Sequence, residues 1–281
     1  MGGMVRPQFS QIDAWGVTHR GKVRETNQDH FFVGALARGV RVDAASIDEV
    51  GRQFLHPERL ASLAMVADGV GSRTGGEEAA RRAVLELISK VSEFYYEAEY
   101  QESEDPEVFT RLLHEAALSC HESLLERAEA SGGERRFATT LTLFLGLWPH
   151  AYLLQVGDSR CYLLRDGELT QITRDQTMAQ ELVDSGSMTQ TMANRTRWAN
   201  VLSSSIGGQQ AAPVVTRVTR DWGNVVLLCS DGLTKHVSDE KIKSRLVDLT
   251  TARETCELLI QDALDEGGTD NITVIVGRSH R

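Results

Sequence analysis

The strongest constraint on this chain is the stretch Leu63-Ala64-Met65-Val66-Ala67-Asp68-Gly69-Val70-Gly71-Ser72. Its first five residues are small or apolar and read as a buried strand, and the run breaks on an acid followed by glycine. A carboxylate at the exit of such a strand is held by a rigid scaffold while its oxygens reach a cleft. Gly69 leaves its own carbonyl open to a ligand, because no side chain blocks the approach. An isolated Asp-Gly is most often only a turn. Here the construction returns as Leu227-Leu228-Cys229-Ser230-Asp231-Gly232, so two buried strands deliver an acid in the same way.

The elements around these strands alternate in period. Phe9 to Thr18 reads as a strand, and the polar stretch Gly21 to Asp29 leads into the apolar run His30-Phe31-Phe32-Val33, so that Arg24 and Asp29 flank its entrance. Residues 38–61 are polar, carry Gly51 and Pro57, and read as a partly helical insertion. Two amphipathic helices follow. The stripe of the first is Ala79, Ala80, Ala83, Val84, Leu87, Ile88, Val91 and Phe94. The second opens on Asp105 and Pro106 and ends at Gly132-Gly133. From Phe137 the period falls back to strands over 137–147, 150–157, 160–165 and 168–172, read as an antiparallel meander with turns at Trp148-Pro149, Gly157-Asp158-Ser159 and Arg165-Asp166-Gly167. Residues 174–210 lose the strand pattern and suggest a lid or recognition lobe. Strands 213–220 and 223–230, helices opening at Ser238 and at a Thr251/Glu254 capping box, and a last strand over 272–276 complete the chain. The sum is an α+β domain over 9–278: two antiparallel sheets packed face to face, with helix pairs outside.

Composition removes several classes of function. A formal charge of −10 gives no basic face for nucleic acid. The longest apolar run, Leu141 to Trp148, is too short to span a bilayer. The amino terminus lacks the apolar core of a signal peptide, and Arg6 breaks a myristoylation pattern. Cys120, Cys161, Cys229 and Cys256 are widely spaced, with no CxxC pair, as expected of core thiols in a reducing compartment. A cytoplasmic monomer is the expectation.

The acids at strand ends then form a set. Asp29 precedes a strand, Asp68 and Asp231 close strands with glycine next, Asp158 sits in a tight turn, and Asp270 precedes the last strand. Gathered in space they would repel and raise one another's pKa. Hard divalent cations resolve that conflict, and oxygen ligands favour Mg²⁺ or Mn²⁺ over zinc. Two such ions suit in-line attack of water on phosphorus, and the forked guanidinium of Arg24 suits phosphate oxygens.

The ordered motifs Arg24-Glu25-Thr26-Asn27-Gln28-Asp29, Ala67-Asp68-Gly69-Val70-Gly71, Thr139-Thr140, Gly157-Asp158-Ser159-Arg160, Ser230-Asp231-Gly232 and Asp270-Asn271 resemble the metal-dependent protein phosphatases of type 2C, bacterial branch, over residues 11–277. The resemblance implies hydrolysis of phosphoserine and phosphothreonine in proteins, substrates of a Ser/Thr kinase, by a hydroxide bridging two Mn²⁺ or Mg²⁺ ions. It implies that Asp68 bridges the metals, that the Gly69 carbonyl joins the first, and that Asp231 and Asp270 hold the second. Asp29 would act through bound water or behind the direct ligands, and Asp158 with Asp231 would form a weaker third site. Arg24 would bind the substrate phosphate, and 174–210 would be the flap.

This sequence departs from the family at four places. Val70 replaces a histidine found in some relatives, leaving protonation of the departing alkoxide to water. Ser72 replaces a glycine, Gln176 a histidine, and Ala199-Asn200 an Arg-Asn pair. Two other readings fit parts of the pattern: an inactive relative serving as a binding scaffold, and a two-metal phosphatase of small molecules.

Overall fold

A computed structural model describes residues 7–37, 40–46, 61–71, 75–96, 106–132, 137–193 and 195–281. Strands β1 (Ile12–His19), β2 (Asp29–Leu36), β3 (Val40–Ala45) and β4 (Ala61–Val70) precede helices α1 (Gly75–Tyr96) and α2 (Pro106–Ala130). Strands β5 (Ala138–Thr139), β6 (Leu141–Leu147), β7 (His150–Val156), β8 (Arg160–Arg165) and β9 (Glu168–Gln171) come next. Short helices α3 (Met178–Asp184) and α4 (Gln190–Ala193) lead to β10 (Val214–Thr219) and β11 (Val225–Cys229). The chain closes with α5 (Asp231–Thr234), α6 (Asp239–Val247), α7 (Ala252–Asp265) and β12 (Ile272–Ser279).

The strands form two antiparallel sheets. One runs β1-β12-β11-β8-β9, the other β10-β7-β6-β4-β2-β3, with β5 paired to the end of β4. Three apolar clusters hold four layers together. Ala79, Ala83, Leu87, Leu113, Ala117 and Leu124 of α1 and α2 pack on Phe32, Leu63, Met65, Leu143 and Leu154 of the second sheet. Leu233, Ile242, Leu246, Cys256 and Leu259, from α5 to α7, pack on Leu227, Val274 and Val276 of the first. Phe31, Val33, Val66, Phe144, Leu153, Cys161, Leu163, Val226, Leu228 and Ile275 fill the gap between the sheets. The expected α-β-β-α sandwich is the observed one, and strand periodicity explains it: Phe32 and Met65 face the helices, whereas Phe31 and Val66 face the other sheet.

Several expectations need correction. Val40–Ala45, assigned to a partly helical insertion, pairs with β2 as an edge strand, because its Val-Arg-Val alternation suits a sheet margin. Residues 38–39 and 47–60 of that insertion, Asp105, Gly133 and Ser72 lie outside the described residues. The meander is two hairpins on different sheets: β6 pairs with β7 and β8 with β9, but β7 and β8 do not pair. Gly157-Asp158-Ser159 instead crosses from one sheet to the other. The Asp166-Gly167 turn does behave as a hairpin, with φ of 51° and 78°. Ser238 and Thr251 cap α6 and α7 by accepting from Lys241 N and Glu254 N. The Glu254 carboxylate accepts from Thr250 instead of returning to the cap, so only half of the expected box forms. All four cysteines are buried free thiols, and no helix among the described residues is long and apolar enough to cross a membrane.

Leu143 is fully buried in the cluster under α1 and α2. Leu143→Ala is expected to cost about 2–5 kcal/mol, measured as a lowered denaturant midpoint with an unchanged slope.

Candidate active site

The register of the strands brings the acids together. Asp29 of β2 lies directly opposite Asp68 of β4, and opposite residues of an antiparallel pair point to the same face. By period 2 from Phe31 and Val66, that face is the one between the sheets. On the other sheet the same count takes Leu228 to Ser230, Ile275 to Thr273 and Cys161 to Ser159. Polar residues of both sheets therefore meet at one end of the apolar gap. The strand containing Asp68 runs on to Val70, so the acid sits inside the strand, where its position is fixed more firmly than at an exit.

Hydrogen bonds and close backbone approaches lock this rim. Ser230 and Thr273 hydroxyls donate to Asp29 Oδ2, each at 2.7 Å. Thr140 donates its N–H to the Asp68 carbonyl at 2.8 Å, and its hydroxyl accepts from Asp68 N at 3.1 Å. Asn271 holds the loop between β1 and β2 at three points: its Oδ1 accepts from Gln28 N, and its Nδ2 donates to the Arg20 and Thr26 carbonyls, all at 2.9 Å. A Cβ on Gly69 would fall 2.3 Å from the Gly76 carbonyl oxygen, and one on Gly232 1.9 Å from that of Asn271. Those two glycines let α1 and α5 lie against the strand ends.

Asp68, Asp158, Asp231 and Asp270 line one cavity of about 270 Å³, together with Arg24, Gly69, Val70 and Lys235. Asp29 lies behind it, fully enclosed. A second, polar cavity of about 700 Å³ adjoins under residues 174–210, sharing Asp158, Asn200, Asp231 and Lys235. Arg160 stands in its wall, forked onto Asp175 at 2.9 and 2.7 Å. Gln176 acts as a brace: its Oε1 accepts from Gly157 N at 2.7 Å, and its Nε2 donates to the Ala212 carbonyl at 2.8 Å. The Thr139–Ile206 bridge ties the lobe to β5, and the Thr177–Leu202 bridge joins its own two arms. A third cavity, about 330 Å³ between the sheets and lined by Trp15, Val33 and Phe144, contains none of the acids of this set.

The electrostatics divide the acids. Burial raises Asp68 well above the usual carboxylate range, with the Asp29 charge adding to it. Burial, then the Asp231 charge, pushes Asp158 up to about 8. Burial takes Asp29 up to about 6 against the pull of its two hydroxyl donors. Asp231 is raised by burial in spite of Lys235. Asp270 alone moves down: burial opposes this, but Arg24 and Lys235 outweigh it. Arg24 forks onto Asp270 at 2.7 and 3.0 Å with 54% of its side chain exposed. It therefore pairs with a cavity acid.

Among the described residues, no three of the His, Cys, Asp and Glu side chains converge tightly enough to hold an ion as they stand. Four carboxylates nonetheless line one small cavity. The gap between these two facts is filled by Lys235, whose Nζ lies 2.5 Å from Asp231 and 2.8 Å from Asp270. Two observations show that the donor set suits a divalent cation: the buried Asp29 Oδ1 and Asp231 Oδ1 have no hydrogen-bond partner, and every donor is a hard oxygen. Lys235 did not figure among the sequence candidates, although its place four residues after Asp231 on a helical turn was a usable signal.

Comparison with known proteins places this geometry in a family. The model of the family described as Protein phosphatase 2C matches residues 42–266. The chain belongs to the protein phosphatase 2C family. The matched stretch holds Asp68, Gly69, Asp158 and Asp231; Arg24 and Asp29 precede it, and Asp270 follows. The chain is similar to the serine/threonine protein phosphatase PstP of Mycobacterium tuberculosis, 33% identical over 257 residues, covering 92% of this chain and 43% of PstP. It thus spans less than half the length of that curated relative. The protein phosphatase PhpP of Streptococcus pneumoniae is 29% identical over 225 residues, covering 76% of this chain and 84% of PhpP. A crystal structure of M. tuberculosis PstP superposes with a TM-score of 0.75 at 30% identity, covering 96% of this chain and 99% of that one. Another, of the PstP catalytic domain in complex with two manganese ions, superposes with a TM-score of 0.71 at 29% identity, over 96% and 99% of the two chains.

The raised acids carry a stability signature. Asp158 and Asp68 hold protons in the fold that the unfolded chain releases near 3.8, so folding is favoured at low pH and loses that advantage as pH rises toward 8. Buried His30, lowered to about 4, opposes the effect only below its ordinary 6.5. Between pH 6.5 and 8, the chelated protein is therefore expected to lose melting temperature as pH rises. Saturating Mn²⁺ is expected to flatten the slope, as read by thermal melts at fixed ionic strength.

Proposed function

We propose that this chain is a single catalytic domain over residues 9–278, with residues 174–210 as its flap, that hydrolyses phosphoserine and phosphothreonine in proteins. The observation that carries the reading is the set of buried carboxylates at the sandwich rim, with two orphaned oxygens beside an arginine fork. Family membership and the manganese named for the PstP catalytic domain support it. Asp68 and the Gly69 carbonyl would hold a first Mn²⁺ or Mg²⁺, Asp68, Asp231 and Asp270 a second, and Asp158 with Asp231 a weaker third. When bound, such ions lower the pKa of water and stabilise charge developing on phosphorus.

The chain's own residues do the remaining work. Asp29, clamped at Oδ2 by Ser230 and Thr273, keeps a buried, unpartnered Oδ1 and would act through bound water or behind the direct ligands. Arg24 offers phosphate the two donors that it now gives to Asp270, which sets the phosphoryl group at the cavity mouth. Val70 stands 36% exposed in the cavity lining and has no proton to give, so the departing alkoxide takes its proton from water. None of the four thiols lines the cavity, so no covalent phosphoenzyme on cysteine is required. The open polar cavity under the flap favours an extended peptide over a small phosphoester.

Asp231→Asn is expected to reduce kcat on a phosphothreonine peptide with Mn²⁺ by about 10²-fold or more, whereas Arg24→Ala mainly raises KM for anionic substrates. Steady-state assays with and without chelator read both. Wild-type turnover by Asp231→Asn, or turnover unaffected by chelation, would remove the ligand assignment.

A further inference from the structure

The cavity acids are divided into two unequal halves by the chain's own cations. Asp231 and Asp270 share the Lys235 ammonium at 2.5 and 2.8 Å, and Asp270 also takes the Arg24 fork. Among the described residues, Asp68 and Asp158 have no ion-pair partner within 4 Å. A divalent cation entering on the side of Asp68 and the Gly69 carbonyl therefore has no side-chain cation to displace. One entering between Asp231 and Asp270 has to evict an ammonium from both carboxylates.

The eviction has a built path. Lys235 projects from the helical turn that begins at Asp231, so the i,i+4 spacing returns its head over that acid. Its side chain is 28% exposed and lines both the carboxylate cavity and the polar cavity beneath the flap. A flexible stem allows the head to leave the first for the second without moving the backbone. Arg24, at 54% exposure, has solvent to retreat into.

We propose that Lys235 is a resident counter-ion of the Asp231–Asp270 pair, which competes with the second divalent cation for these carboxylates and makes it the weaker-bound of the two. This rests on the ligand set proposed above. Without metal the ammonium offsets repulsion at the rim and supports the fold. With metal it is displaced toward the flap cavity, so occupancy of the second site tracks cation concentration while the first stays filled.

The test is calorimetric titration of Mn²⁺ into chelator-stripped wild type, Lys235→Met, Lys235→Gln and Lys235→Arg, each first shown to be folded by circular dichroism. Wild type is expected to show a tight and a weak class of site. Lys235→Met and Lys235→Gln should tighten the weak class by about tenfold or more and leave the tight class within about twofold; Lys235→Arg, which keeps the charge, should match wild type. Metal-free Lys235→Met should melt below wild type, with the difference closing in saturating Mn²⁺. Unchanged weak-class affinity in both neutral variants overturns the counter-ion role while leaving the ligand set standing. Folded wild type and variants that all fail to take up Mn²⁺ overturn the ligand set, and the counter-ion with it.

Discussion

The repulsion among buried carboxylates at the mouth of the sandwich governs the rest of the structure. Asp29, Asp68, Asp158, Asp231 and Asp270 come from strands, turns and a helix start spread over most of the chain. Burial and mutual charge work against ionising four of the five. A fold relying on burial alone would expel such a cluster or neutralise it. This one keeps it by spending apolar contact elsewhere: three clusters, two under helices and one between the sheets, hold the strands in register against that repulsion.

The rim is held by short-range polar contacts that leave the acids little freedom. Ser230, Thr273, Thr140 and Asn271 tie four acid-bearing segments with hydrogen bonds of 2.7–3.1 Å. Such networks raise the cost of any rearrangement. They also explain why the motif residues flanking the acids are hydroxyls, an amide and glycines. Ser230 serves Asp29, Gly232 admits the Asn271 carbonyl, and Gln176 braces the turn carrying Asp158. Two side-chain cations then balance the outer half of the cluster and leave the inner half open, an asymmetry that the placement of acids alone does not contain.

Flap and rim are linked through the same residues. Asp158, Asn200, Asp231 and Lys235 face both the acid cavity and the cavity beneath residues 174–210. A group bound under the flap therefore feels the charge state of the rim directly. The Thr139–Ile206 bridge ties the lobe to β5, and the Thr177–Leu202 bridge closes its neck.

Much of this was legible from residue order, because period and turn chemistry are local. The Ala79–Phe94 stripe required a helix, the apolar runs before Asp68 and Asp231 required buried strands, and five acids beside strands required a cation or neutralisation. What residue order left open was every relation that crosses the chain. Gly157-Asp158-Ser159 has the chemistry of a hairpin turn, and only packing decides that it bridges two sheets. The edge strand Val40–Ala45 shows itself only once β2 offers it a partner. Lys235 carries an i,i+4 signal toward Asp231, but its second bond, to Asp270, needs the last strand folded alongside. The sequence by itself determined which residues could ionise, cap, turn or hide from water, since those are properties of a residue and its neighbours. The tertiary structure decided which charges meet, because Coulomb forces depend on distance in space and the register of two sheets alone sets that distance.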